Sequence, residues 1–310
     1  MKVLFVSSGN TKAGISPIIN NQGLSLQKNG IDVTYFTIIG KGVKGYTKSI
    51  KVLRHLLKTH TFDVVHAHYS LSAFVASLAG AQPLIVSLMG SDVKSKLYFK
   101  YIIKLFDRYS WSKTIVKSED MKLSLGIKDV FVIPNGVDYE KFRPLPKEIC
   151  KNELGWDTSK IQILFAGSPK NKVKNYPLAQ AVISLLAEND YELKVLDNIP
   201  NEKMPIYHNA ADVVMLTSLW EGSPNVIKEA MACNRPIVST DVGDVKSLIQ
   251  NTLGCYITDS NPQNISRKIK IAVQIESCTI GRMDIKHLEE STIAKQIIDL
   301  YQAISIHKQP

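Results

Sequence analysis

Short apolar runs alternate with helical patterns along this 310-residue chain, and they do so in two successive sets. The first set has runs at 2–6, 32–36, 64–66, 84–88, 114–116 and 130–133, with helical patterns near 17–28, 47–58, 71–79 and 97–109. The second has runs at 161–166, 192–196, 213–216, 237–239 and 255–257. Parallel strands need a crossover between them, and a helix is the usual one, so the alternation predicts parallel sheets covered by helices. The expected fold class is α/β, two Rossmann-like doubly wound domains facing across a cleft. Between the sets, the segment FRPLP at 142–146 reads as a linker because its prolines interrupt regular structure. This predicts domains at 1–142 and 143–287. A last amphipathic segment at 291–306 carries Ile293, Ile297, Leu300 and Ile304 at helical spacing, and its position leaves it able to pack on either domain.

Composition removes several alternatives. Cys150, Cys233, Cys255 and Cys278 are scattered with no CxxC pair, so neither a disulfide framework nor a zinc site is indicated, and a reducing, cytoplasmic compartment is expected. The opening MKVLFVSSGN is too short an apolar run for a signal peptide and reads as a strand. Residues 71–90 hold no charge, but Gly80, Gln82 and Pro83 split them into a helix and a strand rather than a membrane span. The formal charge of +10 is unevenly placed. Residues 1–142 hold 19 Lys+Arg against 9 Asp+Glu, whereas 143–310 hold 19 of each.

Ligands of open α/β sheets bind beyond the carboxyl ends of the strands, which directs attention to the loops that follow them. The loop at 7–14 (SSGNTKAG) lacks the GxGxxG spacing of a dinucleotide site, which argues against a dehydrogenase. It is either an ordinary strand–helix loop or one where Gly14 lets backbone approach a phosphate. The loop at 167–175 (GSPKNKVKN) carries Lys170, Lys172 and Lys174, a solvated basic loop or a phosphate site. His66 and His68 end a strand run. Alternation is expected to set them on opposite sides if the strand continues that far, and no third ligand nearby favours a metal. A structural role and a substrate contact both stay open for them.

The segment at 221–245, EGSPNVIKEAMACNRPIVSTDVGDV, holds the densest signal. It follows the apolar run ADVVML, with Ser223 as a predicted cap and Pro224 in the first helical position. Glu221 and Glu229 thus flank a helix N-terminus, which favours an anion. Carboxylates repel phosphate, so the pair is expected to hold hydroxyls beside it, as a nucleotide sugar would require. Spacing alone means little. The 12 glutamates of this chain give about half such a pair by chance, and Glu140 and Glu148 form a second one, in a Pro-rich stretch expected to lack strand or helix.

Together these residues resemble the family 4 retaining glycosyltransferases of the GT-B fold. Glu221-GSPNVIK-Glu229 matches that family's E-x7-E element, VIPNGVDYEKFRP at 132–144 its interdomain segment, and DVVHAHYS a first-domain strand and loop. The resemblance implies sugar transfer from a nucleotide-diphosphate donor with retention of configuration, no required metal, and no other cofactor. It implies that Glu229 binds ribose hydroxyls and Glu221 those of the donor sugar. Gly222, Ser223, Pro224, Asn225 and Val226 would meet sugar and diphosphate, while Gly14, Gly167, Lys172 and Lys174 would serve the phosphates. His66, His68, Met89 and Asp92 fall on the acceptor side. The segment 288–310 would return to the first domain. Two positions depart from the pattern. Ser168 stands where Arg is usual, with Lys170 or Lys172 to compensate, and Met89-Gly90-Ser91-Asp92 lacks the usual His.

The mechanism expected from this is a front-face departure stabilised by Lys174 and a helix end, oriented by Glu221, in a hexosyltransferase of cell-surface polysaccharide or glycolipid synthesis. The partners are then a nucleotide-sugar donor and a saccharide or lipid-linked acceptor. Lys41, Lys44, Lys48, Lys51, Arg54 and Lys58, with the basic and aromatic segment from Lys94, suggest contact with an anionic bilayer at the inner face of the membrane. No nucleic-acid module is present to use that charge. A nucleotide-sugar epimerase and a non-catalytic sugar-nucleotide binder are the alternatives.

Overall fold

The structure is a computed structural model, and it describes the chain except for residues 11–13, 41, 91, 94–96, 187–189, 276–278 and 307–310 and the side chains of 43 and 306. Lys41, Lys94, Lys96 and Cys278 therefore lie outside the described residues. The chain divides into two units, Met1–Gly136 with Glu290–Pro310, and Val137–Glu289.

The first unit runs β1 (Lys2–Ser8), α1 (Pro17–Lys28), β2 (Asp32–Ile38), α2 (Gly42–Thr59), β3 (Val64–His68), α3 (Ser70–Ala79), β4 (Leu84–Ser87), α4 (Leu97–Tyr109), β5 (Lys113–Val116), α5 (Glu119–Leu125) and β6 (Val130–Val132). The second runs α6 (Lys147–Glu153), β7 (Ile161–Ala166), α7 (Tyr176–Leu186), β8 (Tyr191–Leu196), α8 (Met204–Ala210), β9 (Val213–Leu216), α9 (Asn225–Ala232), β10 (Ile237–Thr240), α10 (Val245–Ile249), β11 (Cys255–Thr258), α11 (Pro262–Val273) and α12 (Gly281–Asp284). The closing helix α13 (Glu290–Ile306) groups with the first unit. Both sheets are parallel, ordered β2-β1-β3-β4-β5-β6 and β11-β10-β9-β7-β8. Strands such as Val3–Val6 and Ile163–Phe165 are buried on both faces, which is why they read as continuous apolar runs rather than alternating ones.

The units change over at Gly136, ahead of the proline-rich segment at 142–146. Arg282 explains the shift. Its guanidinium lies 4.0 Å from the Tyr139 ring centre and donates to the Phe142 and Tyr139 carbonyls at 2.6 and 2.9 Å. Residues 137–142 are thereby fastened to the second unit. A further difference concerns Glu148, which lies in the first turn of α6 rather than in irregular chain. Pro146 occupies the N-cap there, where its missing N–H costs nothing.

Each sheet has one switch point, where the crossovers reverse direction. In the first it lies between β1 and β3, in the second between β7 and β9. Crossovers leave these neighbouring strands in opposite directions, and this is the place where ligands of open α/β sheets bind.

Candidate functional site

In the second unit the loops after β7 and β9 meet at the switch point. A 3-10 turn at Lys172–Lys174 follows β7, held by the Asn171 side chain, which accepts from the Val173 amide. The loop after β9 clamps it, since the Thr217 hydroxyl donates to the Lys174 carbonyl at 2.9 Å and the Leu219 amide to Val173 at 2.8 Å. Lys174 runs its alkyl chain across Gly167, where a Cβ would come within 3.0 Å of Lys174 Cγ. Glycine leaves the space that this lysine fills. Its Nζ reaches Glu221 Oε1 at 2.7 Å, and Ser218 Oγ donates to the same oxygen at 2.8 Å. Two residues singled out in the sequence, 47 apart, form one ion pair. Lys170 and Lys172 are exposed on the same loop.

The turn after Glu221 is braced by the loop after β10. Gly243 sits at φ +58°, and a Cβ there would meet the Gly222 carbonyl oxygen at 2.5 Å, so backbone packs on backbone. Ser223 does not cap α9 as predicted. Its hydroxyl donates to Asp244 Oδ2 at 2.5 Å, and Pro224 takes the N-cap, so the helix starts one residue later than expected. Gly222 and Pro224 are buried, while Ser223, Asn225 and Val226 remain half-buried around the amino end of α9.

Glu229 projects from the second turn of α9 toward α8, where His208 Nε2 lies 3.2 Å from its Oε2. Neighbouring Lys228 points into the protein. Burial pushes its ammonium down to about 8, against the pull of Asp244 and Glu229. Neither His208 nor the inward Lys228 was signalled in the sequence, because each is defined by contacts across helices and loops. Ser218, three residues ahead of Glu221, was close enough to have been found.

The first unit treats its candidates differently. β3 continues through His68, and residues two apart on a strand share a face. The His66 and His68 rings accordingly stack 4.4 Å apart instead of pointing to opposite sides. Both are fully buried, so they belong to the core of the sheet rather than to the loop surface. His66 Nδ1 pairs with the Tyr301 hydroxyl of α13 at 2.6 Å and its Nε2 with Ser87 Oγ at 2.9 Å. His68 packs edge-on against Phe5 at 4.6 Å, and its two ring nitrogens are buried without hydrogen bonds. Burial, with the Lys117 charge nearby, lowers His68 to about 3 and lowers His66 as well, so both rings are neutral.

Asp92 folds its own loop. It accepts from the Ser70 amide and hydroxyl at 2.9 and 2.5 Å, which caps α3, and from the Met89 amide at 2.8 Å. Met89 itself is half-buried. Gly14 sits at φ +76° with nothing within 4 Å of where a Cβ would stand, so conformation rather than space calls for glycine. Beside the β1–β3 switch point a cavity of about 440 Å³ opens, lined by Ser8, Tyr46, Tyr69, Ser70, Asp92 and Phe99 among others. Tyr69 enters it from a left-handed backbone at φ 69°, a conformation that costs a non-glycine residue and recurs at functional sites. Among the described residues no group of three or more His, Cys, Asp and Glu side chains is arranged to hold a metal ion.

Comparison with known proteins gives both units relatives. Residues 147–274 match the family model Glycosyl transferases group 1, and residues 18–141 match Glycosyltransferase Family 4. The putative teichuronic acid biosynthesis glycosyltransferase TuaC of Bacillus subtilis is 28% identical over 234 residues, 67% of this chain and 60% of that protein. The UDP-Gal:alpha-D-GlcNAc-diphosphoundecaprenol alpha-1,3-galactosyltransferase of Escherichia coli is 25% identical over 260 residues, covering 69% of this chain and 67% of the relative. The sucrose-phosphate synthase of Thermosynechococcus elongatus shares the fold, with a TM-score of 0.84 at 15% identity over 99% of this chain and all of that one.

Proposed function

Given that residues 147–274 match the Glycosyl transferases group 1 model and residues 18–141 the Glycosyltransferase Family 4 model, we propose that this protein moves a hexosyl group from a nucleotide-diphosphate sugar to a saccharide or lipid-linked acceptor, with retention of configuration. The observation that carries this reading is the Lys174–Glu221 pair at 2.7 Å, beside the amino end of α9. A lysine at a switch point, next to a helix N-terminus, suits a diphosphate in charge and in place. On donor binding the diphosphate replaces Glu221 as the partner of Lys174, and Glu221 turns to the hydroxyls of the sugar. Glu229 takes the ribose hydroxyls, Gly222 to Val226 line the sugar and diphosphate, and Gly167 and Lys172 serve the phosphates.

In the reaction the bond from the anomeric carbon to the diphosphate oxygen breaks and one to the acceptor oxygen forms on the same face. The acceptor hydroxyl's proton passes to the departing phosphate. Lys174 and the helix end stabilise the charge that develops on it. This chemistry calls for no metal, so full turnover in EDTA is expected. The proton-NMR coupling of the anomeric centre in the product tests the stereochemistry: an inverted product would overturn retention. The two named relatives carry teichuronic acid biosynthesis and a diphosphoundecaprenol acceptor in their names, which favours cell-surface polysaccharide or glycolipid synthesis here. Thermal stabilisation by a panel of UDP-, GDP- and ADP-sugars identifies the base, with about 2.7 kcal/mol gained at 100 times the dissociation constant.

The first unit supplies the acceptor side, through the cavity beneath Tyr69 and Phe99. Its α4 also exposes Leu97, Tyr98, Tyr101, Leu105 and Tyr109, and α2 exposes Lys44, Lys48, Lys51 and Lys58. Apolar and aromatic side chains beside basic ones suit an anionic bilayer surface, the place where a lipid-linked acceptor resides. Among the described residues no helix is long and apolar enough to cross a membrane. Co-sedimentation with anionic vesicles, and none with neutral ones, is the expected result.

A further inference from the structure

We propose that His208 is a positioning residue of the donor site, which orients the Glu229 carboxylate toward the ribose hydroxyls. This rests on the ribose reading of Glu229 given above. His208 itself is fully buried in α8 and cannot touch a ligand, whereas Glu229 keeps 14% of its side-chain surface exposed. The two meet at 3.2 Å, Nε2 to Oε2. A carboxylate has no proton to give, so the ring nitrogen must be the donor. The other ring nitrogen, Nδ1, is buried without a partner. With the proton on Nε2 that atom is a bare lone pair, less costly to bury than an orphaned N–H. Both observations place a proton on Nε2, the nitrogen that faces Glu229.

The donor is also fixed in space. The ring stands edge-on to Phe142 at 6.0 Å. Adjacent Asn209 ties α8 down, its Nδ2 donating to the Arg143 and Pro205 carbonyls at 3.0 and 2.9 Å while its Oδ1 accepts from the Leu145 amide at 2.8 Å. A glutamate on a helix surface samples several rotamers, and each must be frozen when a ligand binds. The His208 bond engages Oε2 in advance and holds the carboxylate while part of it stays open to solvent. Preorganisation of this kind improves recognition of one ligand group without contacting it.

The test compares nucleoside diphosphates with their 2′,3′-dideoxy counterparts, using whichever of UDP, GDP and ADP binds best. Calorimetry on the wild type should show the ribonucleotide bound about tenfold tighter, the contribution of a hydrogen bond to a charged group. His208→Phe keeps an aromatic ring beside Phe142 but removes the donor, and should bring that ratio within about threefold by weakening the ribonucleotide only. His208→Gln, whose amide can donate, should restore part of it. His208→Leu serves the same purpose if the phenyl ring does not fit. A folded donor-less variant that keeps full discrimination, or one that loses affinity for both ligands equally, overturns the positioning role. No discrimination by the wild type overturns the ribose reading, and the proposal with it.

Discussion

The two switch points share a topology and differ in chemistry. Between β7 and β9 the carboxylates are partly exposed and paired, Glu221 with Lys174 and Glu229 with His208. Between β1 and β3 the histidines are neutral and sealed in the sheet, and the cavity nearby is lined mainly by tyrosine, phenylalanine and serine, with Asp92 bound up in its own loop. The Lys174–Glu221 pair keeps some contact with solvent, so a ligand's charge can replace one of its partners. Buried neutral groups bind no anion, but they hold strands and helices together. On the proposed reading, the same sheet edge serves a charged ligand in one unit and frames a less polar one in the other.

The largest effect that should separate them comes from Lys174→Ala. Turnover is expected to fall by at least about a hundredfold, since one preorganised charge at a developing oxyanion contributes on that scale. The melting temperature should fall only modestly, because Ser218 still donates to Glu221 and the site keeps some contact with solvent. Near-normal transfer by the folded variant would remove the phosphate role and with it half of the contrast.

Asp92→Ala should do the reverse. It leaves the Ser70 and Met89 amides and the Ser70 hydroxyl without their acceptor, at a cost of about 2 kcal/mol or more. A drop in melting temperature on the order of 5 °C is expected. Nucleotide affinity of the folded fraction should stay at the wild-type level. A stable Asp92→Ala protein would show that the first loop network is not structural.

The contrast is only partly legible in the chain. The segment from Glu221 to Glu229 can be read because strand, turn, helix and both carboxylates lie in one local run, each signalled by its own residues. Lys174 can be marked as a phosphate candidate, but not as the partner of Glu221, since a gap of 47 residues carries no spacing rule. The expectation that His66 and His68 alternate fails. A strand has period two, so their spacing puts them on one face, and only the tertiary fold reveals that α13 covers that face through Tyr301. The prolines of FRPLP read as a break, yet the last of them opens a helix. The left-handed backbone of Tyr69 has no sequence signal at all, because tyrosine seldom adopts it.

The buried histidines give a pH test of the same contrast. Their folded pKa values lie below the unfolded value near 6.5, His68 at about 3, so the unfolded chain binds more protons between these limits. The stability they contribute is therefore fully present above pH 6.5 and is lost as the pH falls toward the folded values. His68 alone should account for about 1.4 kcal/mol of lost stability per pH unit in that window, and His66 acts in the same direction. His68→Leu, which also removes two unpaired ring nitrogens, should lessen the slope measured by chemical denaturation between pH 6 and 4. An unchanged slope would mean that the ring is hydrated in solution.

The smallest expected effect lies on α4. Replacing Tyr98, Tyr101 and Leu105 by serine removes exposed apolar surface and nothing from the core, so stability should stay within about 0.5 kcal/mol. Partition to anionic vesicles should fall several-fold, on the order of 1 kcal/mol for side chains that only partly enter the interface. Transfer to a water-soluble acceptor analogue should remain at the wild-type rate, while transfer to an acceptor embedded in vesicles declines with the partition. Equal decline on both acceptors would place α4 in acceptor binding itself. The division between the units would then lie in how each holds its substrate, with no separate membrane face.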